Sequence, residues 1–181
     1  MTSDLPTHVL QLSQLRNRRG TAFDLETTPA ERAATARELD IVAVKKLTFV
    51  GEIAPEGRAD WRLTGTLGAT VVQSCVATLE PVTTRIDESV LRTYAADFEF
   101  PEASETEMPE DDTIEPLPAA VDVAQVMIEA LSLALPAFPR AEGAEVGQVL
   151  AAEDGVDPMT DEDVKPFAGL GALRDRLAKD D

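Results

Sequence analysis

Between Lys46 and Tyr94 apolar and polar residues alternate with a period of two, the pattern of strands that bury one face. Leu47, Phe49 and Ile53 alternate with Thr48, Val50 and Glu52, and Ala54-Pro55-Glu56-Gly57 then supplies turn residues. Trp61, Leu63, Leu67, Ala69 and Val71 follow on one face, with Arg62, Thr64, Thr66 and Thr70 on the other. Gly65 and Gly68 interrupt this run and predict a bulge or bend where the sheet curls. Past a turn that opens at Cys75, the Val-, Thr- and Ile-rich stretch from Val82 to Tyr94 predicts another strand. Upstream, Leu5 to Leu12 and Thr21 to Glu26 are shorter extended candidates, separated by a basic loop of Arg16, Asn17, Arg18, Arg19 and Gly20.

Two stretches switch to helical spacing. Thr28-Pro29-Ala30-Glu31 is a helix start: Thr28 caps, Pro29 fits the first position and Glu31 reaches back to the cap amide. That helix should run to about Leu39. The stronger helix follows Asp122, with Val123, Val126, Met127, Ala130, Leu131, Ala134 and Leu135 on one stripe and Pro136 as its stop. The expected fold is therefore α+β. An antiparallel meander, or its curled form, a partial β-barrel, is covered by one main amphipathic helix and carries acidic loops. Residues 1–97 should form the mainly β part of a single domain with one short helix. An acidic, Pro-containing loop should occupy 98–118. Residues 119–181 should supply the helical part, with an acidic loop at 140–163 and a short docking helix around Phe167, Leu170 and Leu177.

Charge changes the picture. The chain of 181 residues carries a net charge of −18, spread unevenly. Met1 to Asp97 holds 11 basic and 13 acidic residues, a balance of −2, whereas Phe98 to Asp181 holds 5 and 21, a balance of −16. The second half should repel phosphate backbones, so RNA contact falls to the first half and DNA is not expected as a partner. Eight acids and no base between Phe98 and Pro118 suit a solvated loop or a lure for a basic partner. No stretch approaches the roughly 18 apolar residues of a membrane span, and no early apolar run of signal-peptide type is present. A single cysteine excludes an internal disulfide. The expectation is a cytoplasmic protein.

Catalytic patterns are sparse. His8 is the one histidine, so a nucleophile–base pair would need the fold to bring it to Cys75. Phosphate-cradling glycine loops are missing, and the carboxylates concentrate in loops where a poised pair is not expected. One cysteine and one histidine cannot build a tetrahedral zinc site within this chain. Cys75 is expected to be a small buried hydrophobe, the chain not an enzyme, and no cofactor is implied.

Three segments, in order, carry a resemblance. Cys75-Val-Ala-Thr-Leu-Glu-Pro-Val82 is similar to a cysteine-plus-LEPV block. Glu129-Ala-Leu-Ser-Leu-Ala-Leu-Pro136, with Pro139 soon after, resembles an E-x-L-x-L-x-L-P helix. Lys165-Pro166-Phe167-Ala-Gly-Leu resembles a terminal N-P-F-x-x-L segment. Together they resemble the YceD-type large ribosomal RNA subunit accumulation proteins, over about Val71 to Leu177. The motif positions are Cys75, Leu79, Glu80, Pro81, Pro136, Pro166 and Phe167. Many relatives carry Cys-x-x-Cys in the first block and a His and a Cys after the helix. Here Thr78 stands at the second cysteine, Arg140-Ala-Glu-Gly-Ala supplies neither later ligand and Lys165 replaces the asparagine, so no metal is expected. The resemblance implies a part in accumulation of 23S ribosomal RNA, hence in large-subunit biogenesis. Its partner would be 23S rRNA or a large-subunit ribosomal protein. Arg16, Arg18, Arg19, Lys45, Lys46 and Arg62 are the candidate RNA contacts. An acidic adaptor or holdase for a basic partner is the alternative, and the oligomeric state is left open.

Overall fold

The computed structural model describes residues 5–15, 19–98 and 113–144. Their centre is a five-stranded sheet. It is formed by β2 (Thr21–Glu26), β3 (Ala43–Glu56), β4 (Asp60–Ser74), β5 (Pro81–Ala95) and β6 (Ile114–Pro116), in that spatial order. The first four run antiparallel, as the meander predicts, and β6 joins the edge of β5 in parallel. A separate two-stranded ladder pairs β1 (Val9–Gln11) with β7 (Ala120–Asp122). Among the described residues the sheet stays open: β2 and β6 are its two edges, and the barrel is not closed.

The period-two face is the core face. Leu47, Phe49, Ile53, Leu63, Leu67 and Val71 are fully buried there, with Phe23, Trp61 and Tyr94 beside them. Helix α2 (Val123–Ala134) covers it, burying Val123, Ala124, Val126, Met127, Ala130 and Leu131. The larger of these contribute at most about 1.5–3 kcal/mol each. Asp122 starts α2 by accepting from Ala124 N–H at 3.0 Å, and the same carboxylate accepts from His8 N–H at 2.9 Å. One side chain thus ties the β1–β7 ladder to the lid helix. The short helix α1 (Pro29–Glu38) packs on β3 and has its full capping box: Glu31 N–H donates to Thr28 Oγ1 at 3.3 Å, and Thr28 N–H donates to Glu31 Oε2 at 2.7 Å.

Three local expectations are corrected. The strand expected over Leu5 to Leu12 is extended only at Val9–Gln11, because Leu12–Gln14 tightens into a 3₁₀ turn. The turn expected at Ala54–Gly57 lies instead at 57–59, with β3 running to Glu56, β4 starting at Asp60 and Gly57 turning at φ 57°. The β3–β4 ladder also passes Gly65 and Gly68 without a slip, and its irregularity falls between Val44 and Lys46, at Lys45. The glycines answer a packing demand instead. Gly65 lies opposite Gly51, and a side chain on Gly65 would meet the Phe49 ring at 2.6 Å.

Candidate functional site

β4 and β5 are joined by the loop 75–80, which begins at Cys75. The loop closes on itself: Cys75 N–H donates to Glu80 O at 2.7 Å and Leu79 N–H to Cys75 O at 2.9 Å. It is then strapped to the segment leaving α2. Val76 N–H donates to Pro139 O at 2.9 Å, and Gln73 Nε2 to Pro136 O at 3.1 Å. The sulfur sits at the junction, fully buried, accepting from Ala77 N–H at 3.4 Å and Ala141 N–H at 3.3 Å.

Those donors set its chemistry. The Thr78 hydroxyl and then the Ala141 amide lower the Cys75 thiol from its usual 9.0 to about 7, against the opposing effect of burial. Thr78, on the β4–β5 loop, and Ala141, just after Arg140, thus both act on this sulfur. A hydroxyl and backbone amides do not fit a zinc site, which needs thiolate, imidazole or carboxylate donors. Among the described residues no group of three or more His, Cys, Asp or Glu is placed to hold a metal ion. His8 lies at the opposite end of α2, since its carbonyl accepts from Val123 N–H. The length of the helix, roughly 18 Å, separates it from the cysteine corner.

The same corner presents its apolar side chains outward. Leu79 is 78% exposed, Phe138 77% and Val76 48%. Leu79 also adopts φ 61°, a left-handed conformation unfavourable for a branched residue. Of the motif positions, Cys75 is buried, Leu79, Glu80 and Pro81 are exposed, and Pro136 is half-buried. Pro166 and Phe167 lie outside the described residues.

The candidate RNA contacts do not form one patch. Arg16 and Arg18 lie outside the described residues, and Arg19 is exposed just before β2. Lys45 and Lys46 stand at the start of β3, whereas Arg62 pairs in register with Ala54 near its end. From Lys46 to Ala54 is eight residues along one strand, about 27 Å. Arg62 is moreover neutralised by Glu56, with Nε donating to Oε2 at 2.9 Å. Lys46 instead lies abreast of Thr70 and Arg85 on the outer face of the sheet, Arg85 being held by Asp87 at 2.8 Å.

Lys45 opens onto a groove of about 530 Å³ between α1 and β3. Arg32 and Arg37 line it with Lys45, over a floor that includes Pro29, Ile41 and Val42, and no carboxylate is among its lining residues. Arg32 donates to Thr27 O, and Lys45 Nζ to Thr83 Oγ1 at 3.3 Å. These are bonds to neutral oxygens, and among the described residues no carboxylate is shown paired with either charge. Arg32 and Arg37 are not among the residues expected from sequence, because helix-surface arginines carry no signal until the strand beside them is placed.

Residues 63–174 match the family described as the large ribosomal RNA subunit accumulation protein YceD. The chain belongs to this family. No curated protein and no solved structure matches it. The YceD match takes in β4 through α2 and the whole cysteine corner, while α1, β3 and the cationic groove lie before it. The family's name implies a role in accumulation of the large-subunit ribosomal RNA. Among the described residues, no helix is long and apolar enough to cross a membrane.

Proposed function

We propose that this YceD-family chain supports accumulation of 23S rRNA as a non-catalytic assembly factor in the cytoplasm, contacting RNA phosphates through the groove between α1 and β3. The observation that carries the reading is the composition of that groove: three cations and no carboxylate in a chain of net charge −18. Lys46 extends the cationic edge onto the outer sheet face, and the loop arginines Arg16, Arg18 and Arg19 are a second set of candidate contacts. An acidic protein needs such local concentration, because its mean field repels nucleic acid.

Titrating a labelled 23S rRNA fragment by fluorescence anisotropy over a range of salt tests this. Neutralising one cation that touches a phosphate should reduce the slope of log affinity against log salt by about 0.7–0.9. Arg32→Gln, Lys45→Gln and Lys46→Gln together should therefore flatten it by roughly two, and the same change at Arg16, Arg18 and Arg19 scores the loop separately. Unaltered affinity and slope in both triple variants would remove RNA contact through these residues.

A second reading is favoured by the −16 balance of the second half: an acidic adaptor for a highly basic partner. Deleting residues 102–112 should then slow capture of that partner and reduce its salt sensitivity.

A further inference from the structure

We infer that the cysteine corner is a docking surface for a basic protein segment that carries an apolar anchor between lysines or arginines. The surface consists of Val76, Leu79 and Phe138. Two loops present them, and the Val76–Pro139 backbone bond and the shared Cys75 sulfur hold those loops together. Leu79 is the telling residue. It is 78% exposed and held at φ 61°, so its side chain gains nothing from burial and its backbone is kept in an unfavourable conformation by the loop bond from its N–H to Cys75 O. A glycine would sit there at lower cost. An exposed apolar side chain on an unfavourable backbone, next to a second one in Phe138, is the arrangement of a surface that loses water only when something covers it.

Charge selects the occupant. A second copy of this chain would bring another −18, and two such bodies repel. RNA would gain one ring to stack on, but Val76 and Leu79 offer aliphatic surface to which phosphate and ribose contribute nothing. Glu80 and Glu142 are exposed on the same two loops, with Arg140 as the opposing charge among their described residues. A partner with an aliphatic or aromatic anchor flanked by cations satisfies the apolar centre, the acidic rim and the long-range field together. This surface is distinct from the α1–β3 groove, so it does not depend on RNA being bound there.

The test uses the full chain, immobilised, and the basic proteins released by lithium chloride from purified large ribosomal subunits as the probe. Species retained at physiological salt are identified by mass, purified, and titrated back. Leu79→Gly should weaken binding by about tenfold or more, with Phe138→Ser similar. The urea midpoint of Leu79→Gly should be unchanged or raised, because φ 61° suits glycine. The groove variant Arg32→Gln/Lys45→Gln/Lys46→Gln should bind the same protein normally, which separates failure of this surface from failure of RNA contact. Wild-type affinity in both Leu79→Gly and Phe138→Ser would overturn the inference. So would a wild-type chain that retains no basic protein, or a dimer by light scattering that either variant dissolves.

Discussion

Replacing Gly65 with alanine adds one methyl group to the core face of β4, and the structure fixes what that methyl meets. Its position is 2.6 Å from Phe49 Cε2 and 2.9 Å from Cζ. Carbon atoms prefer roughly 3.5–4.0 Å, so the overlap is about 1 Å. The ring has little room to retreat: Phe49 is fully buried, and its centroid lies 5.0 Å from that of Phe23. Overpacking of this kind costs about 1–3 kcal/mol. Against it stands the gain from removing a flexible glycine from a strand, about 0.5–1 kcal/mol. The clash wins, and the net destabilisation should be about 1–2 kcal/mol. With a urea slope of about 2 kcal/mol per molar, the midpoint should fall by roughly 0.5–1 M. Trp61 is the single tryptophan and is buried on the same strand, so its fluorescence reports the transition without a label. The decisive measurement is the double-mutant cycle. In a Phe49→Leu background the ring is gone, and Gly65→Ala should cost almost nothing or stabilise. An equal cost in both backgrounds, or no cost in the wild type, would refute the account of why this position lacks a side chain.

Two further outcomes follow from local chemistry. Thiolate absorbance should titrate Cys75 with a midpoint near 7, and Thr78→Val, which removes the leading donor, should move that midpoint upward. Because the folded value lies below the usual 9.0, the cysteine's contribution to stability should rise with pH between about 7 and 9. It should be lost as pH falls through 7, seen as a pH-dependent gap between the urea midpoints of wild type and Cys75→Ala. Thr28→Ala removes the side-chain bond of the α1 capping box, Glu31 N–H to Thr28 Oγ1, while leaving the Thr28 N–H to donate to Glu31, and should cost about 1 kcal/mol in the same urea assay.

What could be read in advance was what repeats at short range. The α1 capping box and the α2 stripe each lie within one or two helical turns, and each appears in the structure as its residues dictate. The alternating face of β4 is equally local. Contacts that depend on partners far along the chain were not legible. Gly65 suggests a bulge when seen alone. Only the register that sets it opposite Gly51 and under Phe49 shows a packing requirement. The parallel pairing of β6 with β5 joins residues about twenty apart, through a stretch whose acids and prolines mask any strand signal. At the site, sequence order groups Arg62 with Lys45 and Lys46, but the β3–β4 register sets Arg62 opposite Ala54, at the far end of β3 from the lysines. The same strand draws in Arg32 and Arg37, which sequence order leaves on a helix. Leu79 reads as one more apolar motif residue, and nothing before the structure marks it as exposed.

The cysteine corner joins two segments through hydrogen bonds, and the described residues offer it no donor set for a structural zinc. The bonds that cross from loop to strap are Val76 to Pro139, Gln73 to Pro136 and Ala141 to the Cys75 sulfur. At about 0.5–1.5 kcal/mol net for each, the clasp contributes roughly 2–5 kcal/mol. Structural zinc contributes about 10–16 kcal/mol in small metal-dependent domains. The fold can do without that larger figure, because the core face of the sheet is already sealed by α2 at a distance from the corner. The consequence is local. The clasp can open at a free energy below that of global unfolding, as the less stable segments of a protein do. Opening would part the loops that carry Val76 and Leu79 from the one that carries Phe138, so a partner seated across both would hold the clasp shut. Binding and closure of the corner are then one equilibrium, and slowed exchange of the Val76 and Ala141 amides in the complex is its direct signature.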